Sequence, residues 1–213
     1  MTSLNMYGFS LSLFRLTPEF EQMLKAPVGP HAWPGVVAPA EPTAFAISHL
    51  TLRKEATPSS NPRVQDFIQT ICTALLNAER HLNELDKRVG DGDTGSTFAA
   101  GANALMERLE ANNLPLNSTG ELMVTIGELL ASHMGGSSGV LASIMFTNAG
   151  ATYTKRAGLG NALDSGVAMM MQYGGAQLGS RTMIDALLPA IEGLKNNDLA
   201  AAATAARAGC EAA

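Results

Sequence analysis

From Asn61 onward, the sequence predicts an all-α fold: an antiparallel helical bundle or barrel. Apolar residues make up 46% of the 213-residue chain but aromatic residues only 5%, a balance that favours packed helices over sheets. In this part of the chain the apolar side chains recur at helical spacing, and no alternating strand pattern interrupts them. The predicted helices are joined by short connections, which is typical of antiparallel neighbours in a bundle.

The residues before this region have a different character. An alternating apolar run at residues 8–16 predicts one half-buried strand, and Thr17-Pro18-Glu19 predicts the start of a short helix that ends near Ala26. One strand and one short helix cannot bury themselves, so residues 1–34 are expected to be the end of a larger α/β domain. Residues 35–60 have the proline-rich, aperiodic composition of a linker, and residues 61–213 form the second domain.

Seven helices are predicted in residues 61–213. The first begins with Asn61 as a cap and Pro62 in the first turn, and it runs into Asp86. The second starts near residues 94–96, and a predicted capping box of Ser118 and Glu121 opens the third, which continues to about residue 132. The others are predicted at 138–155, 159–172, 182–194 and 198–212. The apolar stripes comprise Val64, Phe67, Ile68, Ile71, Leu75, Ala78, Leu82 and Leu85 in the first helix, and Phe98, Ala102, Leu105, Met106 and Leu109 in the second.

Charge and composition exclude several classes of partner. A net charge of −5 and a pI near 5.3 argue against a nucleic-acid-binding surface. No basic leader precedes an apolar stretch and no apolar run is long enough to span a bilayer, so we expect no membrane partner and a cytoplasmic location. Cys72 and Cys210 lie far apart without metal-ligand spacing, which favours free thiols in a reducing compartment.

The acidic, glycine-rich segment at residues 85–95 is the most informative part of the sequence for function. Asp86, Asp91 and Asp93 fall within eight residues, and three glycines share the run. Mg²⁺ takes oxygen ligands, usually one or two carboxylates together with substrate phosphates, and glycines let a backbone bend enough to aim several carboxylates at one point. The segment therefore predicts a divalent-metal loop that serves a phosphorylated ligand. The alternative is a solvated turn rich in Asp and Gly.

Three better-known sites do not fit the sequence. An EF-hand loop counted from Asp91 would need glycine at its sixth position and glutamate at its twelfth, where Ser96 and Ala102 stand. No Gly-x-x-x-x-Gly-Lys-Ser/Thr string exists, so a nucleotide would not bind through a P-loop. Ser138 lacks the strand–elbow–helix context of a hydrolase nucleophile, which argues against acyl transfer.

Two further glycine-rich segments precede predicted helices. In residues 135–139, Gly-Gly-Ser-Ser-Gly, the glycines allow close approach of a ligand, the hydroxyls can donate to phosphate oxygens, and the following helix start favours an anion. The alternative is a flexible turn. The segment 173–183 holds three glycines and Arg181, and could cover a base or contact phosphate. Its alternative is an ordinary helix connection, with Arg181 solvated and Met183 in the core.

In this order and spacing, the three segments resemble the nucleotide-binding (L) domain of the dihydroxyacetone kinase family, over roughly residues 60–213. The most specific part is the run from Leu85-Asp86 to Gly95. Gly-Gly-Ser-Ser-Gly at 135–139 and Arg-Thr-Met-Ile-Asp-Ala-Leu at 181–187 are also close to family strings. Residues 1–34 resemble the end of the substrate-binding (K) domain of the animal-type triokinase/FMN cyclases, through Met-Thr-Ser-Leu-Asn-Met and Ala-Trp-Pro.

The resemblance implies an eight-helix antiparallel barrel, of which about seven helices lie in this chain, with ATP bound at one end. Asp86, Asp91 and Asp93 would hold two Mg²⁺ ions, and the phosphoryl group would pass to dihydroxyacetone or glyceraldehyde. A homodimer is also implied. The residues that the resemblance places around the nucleotide are Thr94, Gly95, Ser96, Thr97, Ser137, Ser138, Gly174, Arg181 and Met183.

The sequence also departs from the family pattern. Most of the K domain, with its triose-binding histidine, and an eighth helix after Ala213 would be missing, so no catalytic residue is assigned and the chain alone is expected to be inactive. Ser180 replaces the usual aspartate before Arg181. The expected function is that of a dihydroxyacetone kinase or triokinase. The alternatives are a non-catalytic nucleotide-binding or dimerising module, and FAD–AMP lyase (FMN cyclase) activity.

Overall fold

The structure, a computed structural model, describes residue 13, residues 15–27, residue 29 and residues 56–213. Residues 56–213 belong to one structural unit, and the described residues before residue 30 belong to a second. In the second unit, α1 spans Pro18–Lys25, and the Thr17 hydroxyl accepts a hydrogen bond from the Phe20 N–H at 3.3 Å, which confirms the predicted helix start. The predicted strand at 8–16 lies largely outside the described residues, as does most of the predicted linker.

The larger unit is all-helical, as predicted. Apart from one isolated bridge between Ser59 and Pro115, the described residues contain no β-structure. No helix in the described ranges combines the length and the apolar character that a membrane span requires. The helices of the larger unit are α2 (Pro62–Asp86), α3 (Thr94–Glu110), α4 (Thr119–His133), α5 (Gly136–Thr152), α6 (Gly158–Gly174), α7 (Ile184–Lys195) and α8 (Leu199–Ala212).

Each helix of this unit packs against the next one in sequence, from α2 through α8. Consecutive neighbours joined by short connections run antiparallel, so alternate connections lie at the same end of the bundle. Close contacts of two glycines show which helix ends are neighbours. A Cβ atom on Gly174, the last residue of α6, would lie 3.2 Å from Leu141 near the start of α5. At the opposite end, a Cβ atom on Gly120 would lie 3.6 Å from Tyr153. The end that carries the α2–α3, α4–α5 and α6–α7 connections is called the site end below.

Both of the helix starts predicted from a cap are confirmed, but only one of them has the predicted side-chain cap. At α2, the Asn61 side chain accepts a hydrogen bond from the Val64 N–H at 3.4 Å, with proline in the first turn. At α4, Ser118 is the N-cap residue as predicted, but its side chain makes no capping hydrogen bond, so the predicted capping box does not form. Instead Asn117 fixes this turn: its N–H donates to the Ser59 hydroxyl at 2.9 Å, and its side-chain amide donates to the backbone of residue 60.

The core is built from aliphatic residues, methionines and small residues. One cluster lies between α2, α3 and α4 and includes Cys72, Leu109 and Leu114, and a second, around Val167 and Met170, joins α5, α6 and α7. Of the predicted α3 stripe, residues 102 and 109 are buried and the other three positions are half-buried. The predicted α2 stripe is only partly covered. Its exposed members are Phe67 (52%), Ile71 (43%) and Leu85 (42%), because α3 is the main helical neighbour of α2.

Candidate functional site

Asp86 ends α2 and folds the acidic loop back over the helix end. Its Oδ2 atom accepts hydrogen bonds from three consecutive backbone N–H groups, at 2.9 Å from Gly92, 3.0 Å from Asp93 and 3.3 Å from Thr94. Gly92 has φ +81°, a left-handed conformation that favours glycine. One carboxylate oxygen of Asp86 therefore shapes the loop.

The loop brings the three predicted carboxylates together. Asp86, Asp91 and Asp93 each offer one oxygen, and these oxygens all lie within 4.8 Å of one another. Asp86 is half-buried and the other two are exposed. Asp93 occupies the N-cap position of α3 but makes no side-chain capping bond. A small group of carboxylate oxygens beside open solvent fits a hard cation such as Mg²⁺, which retains waters and shares its coordination with phosphates.

The charges of this cluster act on one another. The negative charge of Asp91 raises the pKa of Asp93 above its ordinary value, with burial and Asp86 adding to the effect. For Asp86, burial alone would raise the pKa, but the hydrogen bonds from Thr94, Gly92 and Asp93 outweigh it, so that the pKa is lowered. Asp86 thus keeps its charge, and Asp93 is repelled by a neighbouring carboxylate. A bound cation would relieve that repulsion.

The start of α3 lies directly beside the carboxylates. Residues 94–97, predicted to follow a phosphate chain, form its first turn, where the helix dipole favours an anion. The N–H groups of this turn are largely used within the protein, because Thr94 donates to Asp86 and Thr97 donates to the Asp93 carbonyl oxygen. The Ser96 side chain has a different use, because its hydroxyl donates to the Glu79 carboxylate at 2.8 Å and accepts from the Asn83 amide at 3.0 Å. The Ser96 N–H also donates to the Asn83 Oδ1 atom at 3.1 Å.

Sequence reasoning missed Glu79 and Asn83. The side chains of these two residues of α2 hold the start of α3 through their hydrogen bonds to Ser96. The sequence does contain a signal for them, since Glu79, Asn83 and Asp86 recur at a spacing that places them on one helix face. Gly95 allows α3 to approach α2 closely enough for these hydrogen bonds. It is buried, and a Cβ atom there would press on the Glu79 carbonyl oxygen and lie 2.7 Å from the Asn83 Oδ1 atom.

The Gly-Gly-Ser-Ser-Gly segment begins at Gly135, the N-cap of α5, and its other four residues form the first turn of α5 at the same end of the bundle. Gly136 has φ +66°, and a Cβ atom on Gly139 would press on the Met134 carbonyl. Ser137 is exposed and Ser138 is half-buried, both in the first turn of α5. Their hydroxyls thus lie at a helix start at the site end, and their contact with phosphate stays a prediction.

The third segment connects α6 to α7. Gly174 closes α6, and Arg181 is exposed with φ +58°. Met183 is half-buried and packs against the core cluster around Val167, in agreement with the core alternative. Its proximity to adenine stays a prediction. Sequence reasoning missed Asp185, a buried carboxylate that holds this connection in place.

Comparisons with known proteins agree with this geometry. The DAK2 domain family matches residues 88–213. A dihydroxyacetone kinase from Citrobacter freundii is 46% identical over 99% of this chain and 39% of its own length. Human triokinase/FMN cyclase is 34% identical over 88% of this chain and 34% of its own length. A crystal structure of the C. freundii dihydroxyacetone kinase in complex with AMP-PNP and Mg²⁺ matches with a TM-score of 0.76 and 46% identity, covering 92% of this chain and 37% of that chain. The chain thus spans less than two fifths of the length of these relatives.

Proposed function

Because this chain belongs to the DAK2 domain family of dihydroxyacetone kinases and triokinase/FMN cyclases, we propose that it binds ATP for phosphoryl transfer to dihydroxyacetone or glyceraldehyde. The observation that carries the proposal is the convergence of three carboxylate oxygens within 4.8 Å of one another at the start of α3. The matching enzyme with AMP-PNP and Mg²⁺ supports it, because that ligand pair needs metal-binding oxygens beside a phosphate site.

Each part of the site has a physical role in this proposal. Asp86, Asp91 and Asp93 hold Mg²⁺, which supplies charge neutralisation on the phosphates. Asp86 also keeps the loop folded through its three backbone hydrogen bonds. The start of α3 favours the phosphate chain through its helix dipole, and the first turn of α5 presents the Ser137 and Ser138 hydroxyls to it. Positioning and charge stabilisation supply most of the catalysis in phosphoryl transfer, so little further chemistry is required of these side chains.

The acceptor site is proposed to lie in another region of the whole enzyme, since none of the residues described above is assigned to the triose. The matched relatives are more than twice as long as this chain. We therefore expect this chain alone to bind nucleotide without phosphorylating dihydroxyacetone. The cytoplasmic location and the homodimer rest on the sequence and the family resemblance, and stay predictions.

Titration calorimetry with Mg·AMP-PNP tests the nucleotide site. The Asp91→Ala/Asp93→Ala variant is expected to lose binding, because two of the three metal-ligating carboxylates are removed. An Asp66→Ala/Glu110→Ala variant is the matched control, since it removes the same charge from two exposed positions at the opposite end of the bundle. Equal heats from the wild type and the Asp91/Asp93 variant would refute the site assignment.

A second activity, the FAD–AMP lyase reaction, is favoured by the 34% identity to human triokinase/FMN cyclase. It would use the same carboxylates, so the two activities are separated by substrate and not by site. Incubation of the chain with FAD and a divalent metal, followed by chromatography for FMN, tests it. A chain that binds Mg·AMP-PNP but forms no FMN would contradict the lyase alternative; the kinase proposal and the non-catalytic nucleotide-binding module are both compatible with that result.

A further inference from the structure

Asp185 is the one charged side chain among the described residues that is buried, with 4% of its surface exposed. It lies in the first turn of α7, outside the acidic cluster. A carboxylate removed from water is costly unless its oxygens accept hydrogen bonds. The buried Asp185 carboxylate therefore needs hydrogen-bond donors.

Both oxygens of Asp185 find partners in the α6–α7 connection. Oδ1 accepts a hydrogen bond from the Gly179 N–H at 2.5 Å, and Oδ2 accepts one from the Thr182 N–H at 2.9 Å. These hydrogen bonds, the Gly179 bond first, lower the pKa of Asp185 below its ordinary value. The two donors bracket residues 180 and 181, so one side chain fixes the turn from both sides.

The turn that Asp185 holds is one that the backbone does not favour. Gly179 has φ +88° and Arg181 has φ +58°, and the left-handed region is unfavourable for a residue other than glycine. Because Arg181 adopts this conformation, the turn sets the direction in which its Cα–Cβ bond leaves the backbone. It is exposed, at the same end of the bundle as the carboxylate cluster and the starts of α3 and α5.

We infer that Asp185 is a positioning residue that sets the Arg181 guanidinium against the phosphates of the nucleotide. The inference rests on the proposed function, because a bound nucleotide supplies the phosphate oxygens. A guanidinium forms strong, often bidentate hydrogen bonds with phosphate, and their strength depends on its orientation. Asp185 acts through Arg181 and touches no ligand itself.

A double-mutant cycle measured by calorimetric titration with Mg·AMP-PNP tests this relation. Asp185→Asn keeps the shape of the side chain but turns an amide donor toward a backbone N–H, and Arg181→Gln removes the guanidinium. Each single variant is expected to weaken binding about tenfold, and the double variant no further than either one. Losses that multiply to about a hundredfold would show that Asp185 acts independently of Arg181 and would overturn the inference, as would Asp185→Asn binding like the wild type.

Two further variants complete the experiment. Asp198→Asn is the matched control, because Asp198 caps α8 at the opposite end of the bundle by accepting from the Ala201 N–H at 2.9 Å, and asparagine caps equally well. It should leave binding unchanged. Gly179→Ala replaces Asp185→Asn if the latter does not fold, since a Cβ atom at Gly179 meets nothing within 4 Å and disturbs only the φ of the turn.

The possible failures are distinguishable. If wild-type protein does not bind Mg·AMP-PNP, the proposed function fails and this inference fails with it. If the wild type binds and the losses in the cycle multiply, the inference alone fails.

Discussion

Replacing Gly95 with alanine tests how the start of α3 is held beside the carboxylates. Gly95 is buried in the first turn of α3, and its added Cβ atom would press on the backbone carbonyl of Glu79 and lie 2.7 Å from the Asn83 side-chain oxygen. The ordinary contact range begins at 3.4 Å. Since a helix backbone cannot swing aside as a side chain does, α2 and α3 must move apart.

The cost of this separation follows from the contacts that are strained or lost. Overpacking a tight contact costs about 1–3 kcal/mol. Moving α3 also weakens the hydrogen bonds of Ser96 to Asn83 at 3.0 and 3.1 Å, each worth about 1 kcal/mol. We expect Gly95→Ala to lower the free energy of unfolding by about 2–4 kcal/mol. Because the carboxylate loop leads into α3, Mg²⁺ affinity should also fall about tenfold or more.

Urea denaturation followed by circular dichroism measures the first effect, and titration with Mn²⁺ as a paramagnetic probe measures the second. Gly135→Ala is the matched control, because a Cβ atom at Gly135 meets nothing within 4 Å and its φ of −82° suits alanine. That variant should unfold within about 0.5 kcal/mol of the wild type. If Gly95→Ala is as stable as the control, the close approach of α3 to α2 is refuted.

Three other predictions follow from single side chains. Ser96→Ala should lower the free energy of unfolding of the nucleotide-free protein by about 1–2 kcal/mol, because two side-chain hydrogen bonds to α2 are lost. Unchanged stability in a denaturant titration would mean that the hydroxyl serves the ligand alone. Alkylation of the native protein at mildly alkaline pH should modify Cys210 well before Cys72, because Cys210 is exposed whereas burial raises the pKa of the Cys72 thiol; equal rates by mass spectrometry would contradict the packing of α2. The pKa of Asp185 is lowered in the folded protein, so its stabilising contribution is complete above the ordinary value of 3.8 and is lost as the pH falls toward the folded-state value. In thermal unfolding between about pH 5 and about pH 2, the wild type should therefore lose stability more steeply than Asp185→Asn. Parallel curves for the two proteins would count against the hydrogen bonds of this carboxylate.

The all-helical fold and the acidic cluster were predictable because their determinants are local in sequence. The seven helices follow from apolar spacing and from caps such as Asn61 with Pro62. Asp86, Asp91 and Asp93 lie within eight residues, so a single tight loop is enough to bring their oxygens together. Antiparallel alternation then places the three glycine-rich segments at one end of the bundle.

The features that sequence reasoning missed depend on contacts between distant residues. The Ser118 side chain makes no capping hydrogen bond, and Asn117 instead pairs with residues 59 and 60, a contact that no local pattern shows. Glu79 and Asn83 gain their role only when α3 folds back on α2. Nothing in the local sequence marks Asp185 as a buried residue. Its burial depends on α8, where a Cβ atom on Gly209 would press on the Asp185 carbonyl.

Crystals of the protein grown with AMP-PNP and Mn²⁺ provide the most direct test of the central claim that the acidic loop holds metal for a nucleotide. Anomalous scattering locates the metal without reference to the ligand density. We predict at least one anomalous peak within about 2.5 Å of carboxylate oxygens from Asp86, Asp91 and Asp93, with phosphate oxygens completing the coordination. Bound nucleotide with no metal at these carboxylates, or metal bound elsewhere in the chain, would contradict it.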